Sequence, residues 1–439
     1  MTMFGICTLG KYFVYKTPDM AARVQYDVCV VGAGPVGSAA ARWLSTYQGI
    51  KVCLIGPQEP TEEELKDPSR TIFGSHYDEA RIVSEVCSCR RDDTWPVVTK
   101  RSIDRFRDIE RESGINFYNE VGCVFKAPKV VTAKVYESLP PGTQAISYSP
   151  GGIENAFQYL KSDGFHSIHE STKGGYVNPR KYITANKKIA KRNGCDIVDE
   201  VVCDVGERRQ PGVGSFIHLT TKCRAVITSR KVLLCTGGFI NFERLLPNSG
   251  LEIDIDPLTE MAVLIELTKE DAECLSKMPS ILVHIPDAKD PRNSYILPPV
   301  IYPDGKYYLK VGHDYDLNRR IRSKEEVASW YRDQGQNRLG DFKSIYLRIY
   351  QSVSGFHPKS LKTMTCITTT TPSGQYYCDL ITPAIGVAVG GNGGGVMVAD
   401  EIGRTAARMI LKGAWDSDLP QEEFRVRWRT REGATKSHL

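Results

Sequence analysis

The stretch from Tyr26 to Gly56 reads YDVCVVGAGPVGSAAARWLSTYQGIKVCLIG and decides the fold. The apolar run 28–31 predicts a buried strand, which a short glycine-rich turn connects to an alanine-rich helix. A second apolar run, 52–55, predicts another buried strand. Strand, turn, helix and strand together form a βαβ unit of about 30 residues, the building block of a parallel sheet covered by helices.

The turn carries the spacing G-x-G-x-x-G at Gly32, Gly34 and Gly37. The first glycine permits the sharp turn, the second lets the backbone approach a pyrophosphate, and the third lets helix and strand pack closely. The phosphate would then bind the free N–H groups at the positive end of the helix. Because the motif follows a strand, opens a helix and returns to a strand, it predicts dinucleotide binding by these glycines, Pro35 and Val36.

One contact departs from the usual pattern of this motif. The second strand should end in Asp or Glu, which binds the ribose of the nucleotide. Here it is followed by Gly56 and Pro57. Either Glu59 reaches back to the ribose, or backbone groups and water take the place of the acidic residue.

The composition is typical of a soluble globular protein. Of the 439 residues, 41% are hydrophobic and 25% are charged, which favours roughly two or three folded domains. The net charge of +5 is spread along the chain, so no nucleic-acid partner is expected. The longest uncharged stretch, 380–399, contains a proline and six glycines, so it is not expected to span a membrane.

The cysteines indicate the redox compartment. The 13 cysteines are irregularly spaced and form no pair of doublets of the kind that binds a metal, so no metal site is predicted. Their odd number and the absence of a secretory leader indicate reduced thiols in an intracellular compartment. Residues 1–25 precede the first strand and carry Lys11 and Lys16, so we expect an N-terminal extension and not a signal peptide.

Three later segments fit a nucleotide-binding chain with an inserted sheet. The apolar run 232–235 predicts a strand that ends in the small-residue turn 236–238. The glycine cluster 390–395 precedes an amphipathic helix, and the N–H groups of such a loop can wrap a ring system or a pyrophosphate. A merely flexible loop is the alternative. Between these segments, residues 251–350 hold strand-like pieces separated by Pro and Asp, which predict an antiparallel sheet.

Four short motifs occur in order along the chain. Residues 74–82, GSHYDEARI, match the stretch G-S-H-H-G-D-T-R-I, and residues 309–312, LKVG, match L-K-I-G. Residues 366–372, CITTTTP, match C-x-Y-x-x-T-P with Cys and Pro in register, and the fourth motif is the glycine loop before the last helix. With the βαβ unit, these motifs resemble the FAD-dependent D-amino-acid-oxidase superfamily, and within it the monomeric sarcosine oxidase and pipecolate oxidase branch.

The resemblance implies an α/β FAD-binding domain of the Rossmann-like, GR2-type class, with an inserted α+β substrate domain built on an antiparallel sheet. On this basis, the FAD-binding domain comprises residues 26–115, 166–245 and 366–420. The substrate domain comprises residues 116–165 and 246–365, and residues 421–439 form a C-terminal tail.

Members of this family oxidise a C–N bond by transfer of a hydride equivalent to the flavin, and water hydrolyses the resulting imine. The reduced flavin then passes electrons to oxygen, which gives hydrogen peroxide. The resemblance therefore implies a monomeric, FAD-dependent oxidase of a secondary amine or an N-substituted amino acid. Two alternatives stay open: a flavin dehydrogenase that uses another electron acceptor, and a biosynthetic flavoenzyme that acts on a tailored amine.

Two cations are candidates for catalysis. Lys310 matches the family lysine that activates oxygen, where a fixed cation stabilises the developing negative charge. An exposed strand lysine is the alternative. Arg81 matches an arginine beside the flavin, where a guanidinium supports the anionic reduced ring. The alternative is a structural ion pair with Asp78 or Glu85.

Three further residues carry possible chemistry. Tyr77 stands where several relatives carry histidine, and His313, just past the lysine, could transfer a proton or line the pocket. Cys366 matches the cysteine that tethers flavin through a thioether in the sarcosine oxidase branch, which needs a thiolate near the ring. A small buried cysteine is the alternative. Beyond the first glycine turn, the resemblance assigns cofactor contacts to Ser75, His76, Arg81, Val202, Gly237, Cys366, Gly391, Asn392, Gly393, Gly394, Gly395, Val396 and Met397.

The substrate side departs most from the family. Relatives hold the substrate carboxylate with an arginine and a lysine, and the matching positions here are Ser84 and Met397. Without these cations, a pair of charge-assisted hydrogen bonds to a carboxylate is lost. We expect the substrate to contact Ser84, Thr368 and Met397, and a neutral, larger or cationic amine is as compatible as an amino acid. The arginine cluster at 319–322 either supplies a new clamp or forms a solvated face.

The last three residues, 437–439, read Ser-His-Leu and resemble the S-K-L peroxisomal address, which an import receptor reads as an exposed tail. A chance match is the alternative. Because an oxidase that makes peroxide is best kept beside catalase, we predict a peroxisomal location, with the cytoplasm as the alternative.

Overall fold

The structure is a computed structural model, and it describes residues 24–88, 94–212, 214–247, 250–285, 292–313, 318–334 and 352–431. Two of the predictions fall on other parts of the chain. Residues 1–23 of the N-terminal extension and the C-terminal tripeptide 437–439 lie outside the described residues.

The secondary structure alternates between strands and helices in the first part of the chain and is richer in strands after residue 196. The strands are β1 (Tyr26–Val31), β2 (Val52–Ile55), β3 (Arg81–Val83), β4 (Tyr118–Asn119), β5 (Cys123–Ala127), β6 (Ala145–Tyr148), β7 (His166–Glu170), β8 (Gly175–Val177), β9 (Asp196–Val198), β10 (Val202–Gln210), β11 (Gly214–Thr221), β12 (Val226–Leu234), β13 (Leu251–Ile253), β14 (Asp256–Leu267), β15 (Ser280–Ile285), β16 (Arg292–Ile301), β17 (Tyr307–His313), β18 (Ser360–Thr370), β19 (Tyr377–Thr382), β20 (Ile385–Val389) and β21 (Trp428–Thr430). The helices are α1 (Pro35–Leu44), α2 (Glu62–Lys66), α3 (Glu85–Ser88), α4 (Thr94–Ser113), α5 (Lys129–Glu137), α6 (Gly152–Ala156), α7 (Pro179–Arg192), α8 (Lys269–Cys274), α9 (Lys324–Ser329), α10 (Ala399–Lys412) and α11 (Gln421–Phe424).

The first sheet contains the predicted βαβ unit. Its strand order is β10-β11-β12-β1-β2-β9, and β20 pairs with the second half of β12, while β19 pairs with β20. Strands β1, β2, β9, β12 and β20 are parallel, and β10, β11 and β19 are antiparallel additions. One face of β1 and β2 packs on α1, α4, α7 and α10, and the other face packs into a second apolar cluster. Burial on both faces explains why these strands are continuous apolar runs.

Helices α1 and α10 cross at very close range. A Cβ atom at Gly403 of α10 would lie 2.7 Å from the Cβ of Ala39 and 2.9 Å from the backbone N of Ala40 in α1. The alanines of α1 supply the flat, fully buried surface that this contact requires. The crossing brings the starts of both helices, and therefore both glycine loops, to the same side of the sheet.

The second sheet has the order β18-β14-β17-β16-β15-β5-β7-β6 and is antiparallel except for the pair β15 and β5. It corresponds to the antiparallel sheet predicted for the substrate domain. A smaller sheet, β3-β8-β4, joins the segment around residue 81 to the chain that follows β7.

The sheets differ from the predicted domain boundaries at three places. Strand β7 was predicted to lie in the FAD-binding domain with 166–245, but it pairs with β5 and β6 in the second sheet. The boundary at 366 falls inside β18, which stays in the second sheet from residue 360 to 370. The start of the tail is ordered too, because β21 pairs with β13. Alternation within a strand shows which face is buried but not which strand is its neighbour, so the sequence could not decide these pairings.

Among the described residues, no helix combines the length and the apolar composition that crossing a membrane requires.

Candidate active site

A cavity of about 500 Å³ lies between the two sheets. One wall consists of the glycine turn after β1, the segment after β2 and the turn after β12, and the opposite wall consists of β14, β16, β17 and β18. Residues 72–77 and the glycine loop 390–397 close the remaining sides. The cavity therefore lies at the carboxyl ends of the parallel strands, where open α/β sheets bind their ligands.

The three glycines of the first turn differ in what surrounds them. Gly32 has a φ of +103°, and a Cβ atom there would lie 2.4 Å from the carbonyl oxygen of Cys235. A Cβ atom at Gly37 would lie 1.8 Å from the carbonyl oxygen of Gly32. At Gly34 the nearest atom would be 3.8 Å away, on the ring of His76, so this position is open to the cavity. Gly32 and Gly37 thus serve the turn itself, and Gly34 leaves room for a ligand.

The start of α1 is arranged to bind an anion. Gly34 is its N-cap residue and provides no side-chain hydrogen bond to the first N–H groups of the helix. Pro35 at the first helical position and Val36 line the cavity beside it. Free N–H groups and the positive end of the helix dipole at a cavity wall form a site for phosphate groups.

Glu59 and His76 form the side of the cavity next to this helix. The Nε2 atom of His76 lies 2.6 Å from Oε1 of Glu59. Burial opposes ionisation of Glu59, but the hydrogen bond with His76 and the charges of His76, Arg180 and Lys187 together lower its pKa. Its second oxygen, Oε2, is buried without a hydrogen-bond partner among the described residues, and so is the hydroxyl of Thr236 on the same wall, beyond the glycine turn. Two buried oxygens on this wall that have no partner in the described part of the chain fit a ligand that carries hydroxyl groups, such as a dinucleotide.

A buried carboxylate, Asp78, connects the two candidate catalytic cations. Its Oδ2 atom contacts both Nη1 of Arg81 and Nζ of Lys310. Its Oδ1 atom accepts hydrogen bonds of 2.8 Å from the hydroxyl of Tyr302 and from the backbone N–H of Glu79. Each carboxylate oxygen thus has two donors, which is its full capacity.

Lys310 is buried, so the alternative of an exposed strand lysine is wrong. Its side chain is 1% exposed and also donates to the carbonyl oxygen of Ala80 at 3.1 Å. Its ammonium lies 5.3 Å from the ring centre of Tyr295. Burial, followed by the nearby charge of Arg81, lowers the pKa of Lys310 below its ordinary value.

Arg81 forms the ion pair with Asp78 that was its structural alternative, and it lines the cavity as well. Its Nη2 donates to the carbonyl oxygen of Ser75 at 2.8 Å and lies 3.5 Å from Sγ of Cys366. Glu85, the other carboxylate considered, contacts Lys100 and Lys173 instead.

Cys366 and Tyr77 both lie on the cavity wall. The sulfur of Cys366 is partly exposed and lies 3.3 Å from the carbonyl oxygen of Ser75. The hydroxyl of Tyr77 accepts a hydrogen bond of 2.6 Å from Arg70, and burial raises the pKa of Tyr77, so its phenol stays protonated at neutral pH. Cys366 is thus held beside Arg81, and Tyr77 is held by Arg70.

The second glycine loop is held closed by Asn392. Its Nδ2 donates to the carbonyl oxygens of Gly390 at 2.8 Å and of Gln375 at 3.0 Å, and its Oδ1 accepts from the N–H of Thr371 at 2.9 Å. The hydrogen bonds of the Asn392 side chain thus fix the loop and its neighbouring segment, and the loop backbone lines the cavity together with Met397.

Most of the residues predicted from the sequence lie together in this cavity. Its walls include Gly32, Gly34, Pro35, Val36, Ser75, His76, Tyr77, Arg81, Val202, Gly237, Lys310, Cys366, Thr368, Gly391, Asn392, Gly393, Gly394, Gly395, Val396 and Met397. Gly37 lies behind the turn and supports it. His313 ends β17, and its side chain lies outside the part of the chain that is described.

Ser84 was predicted to contact the substrate, and the structure contradicts this. It is fully buried, donates to Oε2 of Glu170 at 2.5 Å and accepts from the N–H of Cys87 at 3.0 Å. Strand β3 ends just before it, so Ser84 caps α3 and faces away from the cavity. The arginine cluster is not a clamp either, because Arg320 pairs with Asp256 at 2.8 Å and does not line the cavity.

Sequence reasoning missed the central position of Asp78 and the contribution of Tyr295, Tyr302 and Met261. Asp78 was considered only as a partner of Arg81. Its place three residues before that arginine, in a segment that closes the cavity, was the available signal. Tyr295 and Met261 line the cavity from β16 and β14, and Tyr302 lies just beyond β16. Their positions depend on strand pairing, for which the sequence held no signal.

A family model described as FAD dependent oxidoreductase matches residues 27–409, so the chain belongs to this family. The predicted family membership and the FAD cofactor are thereby confirmed. The chain is 21% identical over 425 residues to the monomeric sarcosine oxidase of Arthrobacter sp. (strain TE1826), which covers 91% of this chain and 96% of that protein.

Two solved structures have a similar fold. One is NikD, an unusual amino acid oxidase essential for nikkomycin biosynthesis, with a TM-score of 0.69, 17% identity and coverage of 93% of this chain and 99% of that chain. The other is L-proline dehydrogenase from P. horikoshii, with a TM-score of 0.65, 17% identity and coverage of 92% of this chain and 97% of that chain. These similarities confirm the predicted fold class.

The residues on the cavity walls fit FAD. The start of α1 at Gly34 would hold the pyrophosphate, and the unpaired oxygens of Glu59 and Thr236 would meet hydroxyl groups of the cofactor. The glycine loop 390–395 and the group around Arg81 line the rest of the cavity, where the bound flavin supplies two-electron oxidation.

Proposed function

We propose that this chain is an FAD-dependent oxidase that oxidises the C–N bond of a secondary amine or an N-substituted amino acid. Oxygen is the electron acceptor, and the products are an imine, which water hydrolyses, and hydrogen peroxide. The flavin carries the redox chemistry. The contribution of the chain is to bind the amine, to exclude water from the cavity and to hold fixed charge where oxygen reacts.

The observation that carries this proposal is the buried Lys310. Two-electron reduction of oxygen develops negative charge, which a fixed ammonium in a water-excluded site stabilises much more strongly than water does. The hydrogen bonds to Asp78 and to the carbonyl oxygen of Ala80 fix the ammonium before the reaction begins. A lysine held in this way on the cavity wall is better placed to activate oxygen than an exposed lysine on the protein surface would be.

The alternative that remains is a dehydrogenase or a biosynthetic flavoenzyme with another electron acceptor. Two observations favour it: the charge of Lys310 is already compensated by Asp78, and one structure of similar fold is a proline dehydrogenase. Under this alternative, the lysine would keep the segment around Arg81 in place and would have no role in oxygen chemistry.

An amine panel assayed for peroxide tests the proposal. The holoenzyme is offered N-methyl amines, cyclic secondary amines, sarcosine and pipecolate, and both oxygen uptake and peroxide are measured. We expect at least one compound to give peroxide in equal amount to the oxygen consumed. Substrate-dependent bleaching of the flavin without peroxide, relieved by an artificial electron acceptor, would support the dehydrogenase instead.

Covalent attachment of the flavin to Cys366 is also proposed. The sulfur lies on the cavity wall, partly exposed, and 3.5 Å from the guanidinium of Arg81. Formation of this thioether would break the S–H bond of Cys366 and one C–H bond of the flavin. The two hydrogens and two electrons would stay on the flavin in its reduced form, which oxygen would reoxidise.

Two further proposals concern the oligomeric state and the location of the protein. We propose that it is a monomer, and that it is delivered to peroxisomes through residues 437–439. The support for the peroxisomal location is the Ser-His-Leu sequence itself. A fluorescent fusion that leaves this tripeptide free should colocalise with catalase, and deletion of the tripeptide should leave it in the cytosol. Identical distributions of the two forms would refute the address, and light scattering of the purified protein tests the monomer.

A further inference from the structure

The cavity end that holds Arg81 and Lys310 already contains a carboxylate that belongs to the protein. Asp78 is completely shielded from solvent and contacts both cations through the same oxygen. The family stretch that residues 74–82 resemble has glycine at this position, which offers no side chain. In this chain, the two cations therefore have an internal anionic partner before any substrate enters.

The donors of both cations are largely used within the protein. Arg81 donates to Asp78, to the carbonyl oxygens of Ala80 at 3.2 Å and Ser75 at 2.8 Å, and towards the sulfur of Cys366 at 3.5 Å. These contacts engage both terminal nitrogens, so the pair of N–H donors that would bind a carboxylate in bidentate fashion is already occupied. Lys310 gives two of its three donors to Asp78 and to the carbonyl oxygen of Ala80.

The rest of this end of the cavity does not favour an anion. Met261, Met364 and Leu282 line the cavity from the sheet that carries Lys310, the ring of Tyr295 lies 5.3 Å from the Lys310 ammonium, and Glu260 adds a second carboxylate to the same wall. A substrate carboxylate would have to leave water without a bidentate partner and beside two carboxylates of the protein. An amine with an apolar or aromatic substituent meets no such penalty.

We propose that Asp78, by occupying Arg81 and Lys310, makes this site select amines that lack a carboxylate on the reacting carbon. The proposal rests on the proposed amine oxidation and narrows its substrate class. Asp78 acts through the two cations and is therefore a positioning residue. It neither accepts the substrate proton nor binds the amine, because all four of its acceptor sites are filled.

The test compares two substrates that differ only in the carboxylate: N-methylphenethylamine and N-methylphenylalanine, the latter in both enantiomers. The wild-type holoenzyme should have a higher kcat/KM for the amine. In Asp78→Asn, the ratio of the two kcat/KM values should move towards the amino acid by about 10- to 100-fold, the range expected for a regained charge-assisted hydrogen bond. The change should appear in the KM of the amino acid and leave that of the amine nearly constant.

Tyr302→Phe is the matched control, because it removes one hydrogen bond to Asp78 without changing the charge at the site. It should leave the ratio unchanged. If Asp78→Asn does not retain FAD, Asp78→Ala serves as the second variant. Equal loss of kcat/KM for both substrates in the Asp78 variants, or a wild-type preference for the amino acid, would overturn the proposal.

A binding measurement separates this proposal from the proposed function. Under anaerobic conditions, the flavin spectrum of the holoenzyme is titrated with 3-phenylpropionate and with 3-phenylpropanol, which do not need to react. Selective binding of the alcohol by the wild type, with binding of the acid gained in the Asp78 variant, supports the inference even if no amine is oxidised. Binding of the acid by the wild type as tightly as by the variant contradicts it.

Discussion

Replacement of Lys310 by methionine should separate the two halves of the catalytic cycle. The variant removes the ammonium and keeps most of the apolar volume of the side chain. Loss of one preorganised charge at such a step raises the barrier by about 3–4 kcal/mol, which corresponds to a 100- to 1000-fold slower reaction with oxygen. Reduction of the flavin by the amine should slow far less, because no negative charge develops on oxygen in that half-reaction.

The structure also predicts the effect of this variant on stability. Breaking a buried ion pair by removing one partner can destabilise a protein by about 3–5 kcal/mol. Here the loss should fall below that range, because Asp78 keeps Arg81, Tyr302 and the N–H of Glu79 as partners. The double variant Lys310→Met/Asp78→Asn leaves the Arg81 guanidinium without its carboxylate partner. It should lose further stability, and its rate with oxygen should stay as low as that of Lys310→Met.

Stopped-flow absorbance follows both half-reactions: anaerobic mixing with the amine gives flavin reduction, and mixing of the reduced enzyme with oxygenated buffer gives reoxidation. Because burial lowers the pKa of Lys310, the wild-type reoxidation rate should fall as pH rises through that lowered value, below the ordinary 10.5. This pH dependence should be absent in Lys310→Met. Equal and small effects on both half-reactions would refute the role in oxygen activation and favour a structural lysine.

Three other predictions concern the cofactor and stability. Gly34→Ala should fold normally, because the added Cβ atom has no neighbour closer than 3.8 Å among the described residues, yet it should weaken FAD binding by at least about tenfold in a fluorescence titration. Gly32→Ala should lower the melting temperature, because its Cβ atom would lie 2.4 Å from a carbonyl oxygen. Normal FAD affinity in Gly34→Ala would place the pyrophosphate elsewhere. After acid precipitation, the flavin should remain with the pellet of the wild type and should appear in the supernatant of Cys366→Ser. Flavin in the supernatant of the wild type would disprove the thioether. Burial raises the pKa of Glu170 to about 7, so the folded protein keeps a proton that the unfolded chain releases above about pH 4.5. This proton contributes about 3 kcal/mol to the free energy of unfolding below pH 4.5, and the contribution is lost as pH rises through 7. In urea unfolding experiments, the free energy of unfolding of Glu170→Gln should not show this fall with pH.

The sequence predicted the nucleotide-binding half of the cavity well, because its determinants are local. The glycine turn lies within one βαβ unit, and the second glycine loop opens α10 in the same way, so each can be recognised without knowing how the chain folds around it. Glu59 was an open question at that stage. Its position on the cavity wall beside His76 depends on the path of the chain after β2, which no periodicity determines.

The substrate half was predicted less well, because it depends on contacts between distant segments. The motif around Lys310 predicted a residue that lines the cavity, but its burial follows from the pairing of β17 with β14 and β16 and from the approach of Asp78, 232 positions earlier in the chain. Ser84 shows the same limit. Its match to the substrate-binding arginine of the family placed Ser84 beside the substrate, whereas the end of β3 and the buried Glu170 direct its hydroxyl away from the cavity.

The most direct test of the central claim follows the flavin spectrum through one complete cycle in a single sample. The purified holoenzyme is mixed anaerobically with an amine from the panel, and air is then admitted. The account predicts that the flavin bands bleach on addition of the amine and return with oxygen, with one equivalent of peroxide formed for each equivalent of flavin reoxidised. A flavin that bleaches but stays reduced in air, or that no amine bleaches, would contradict it.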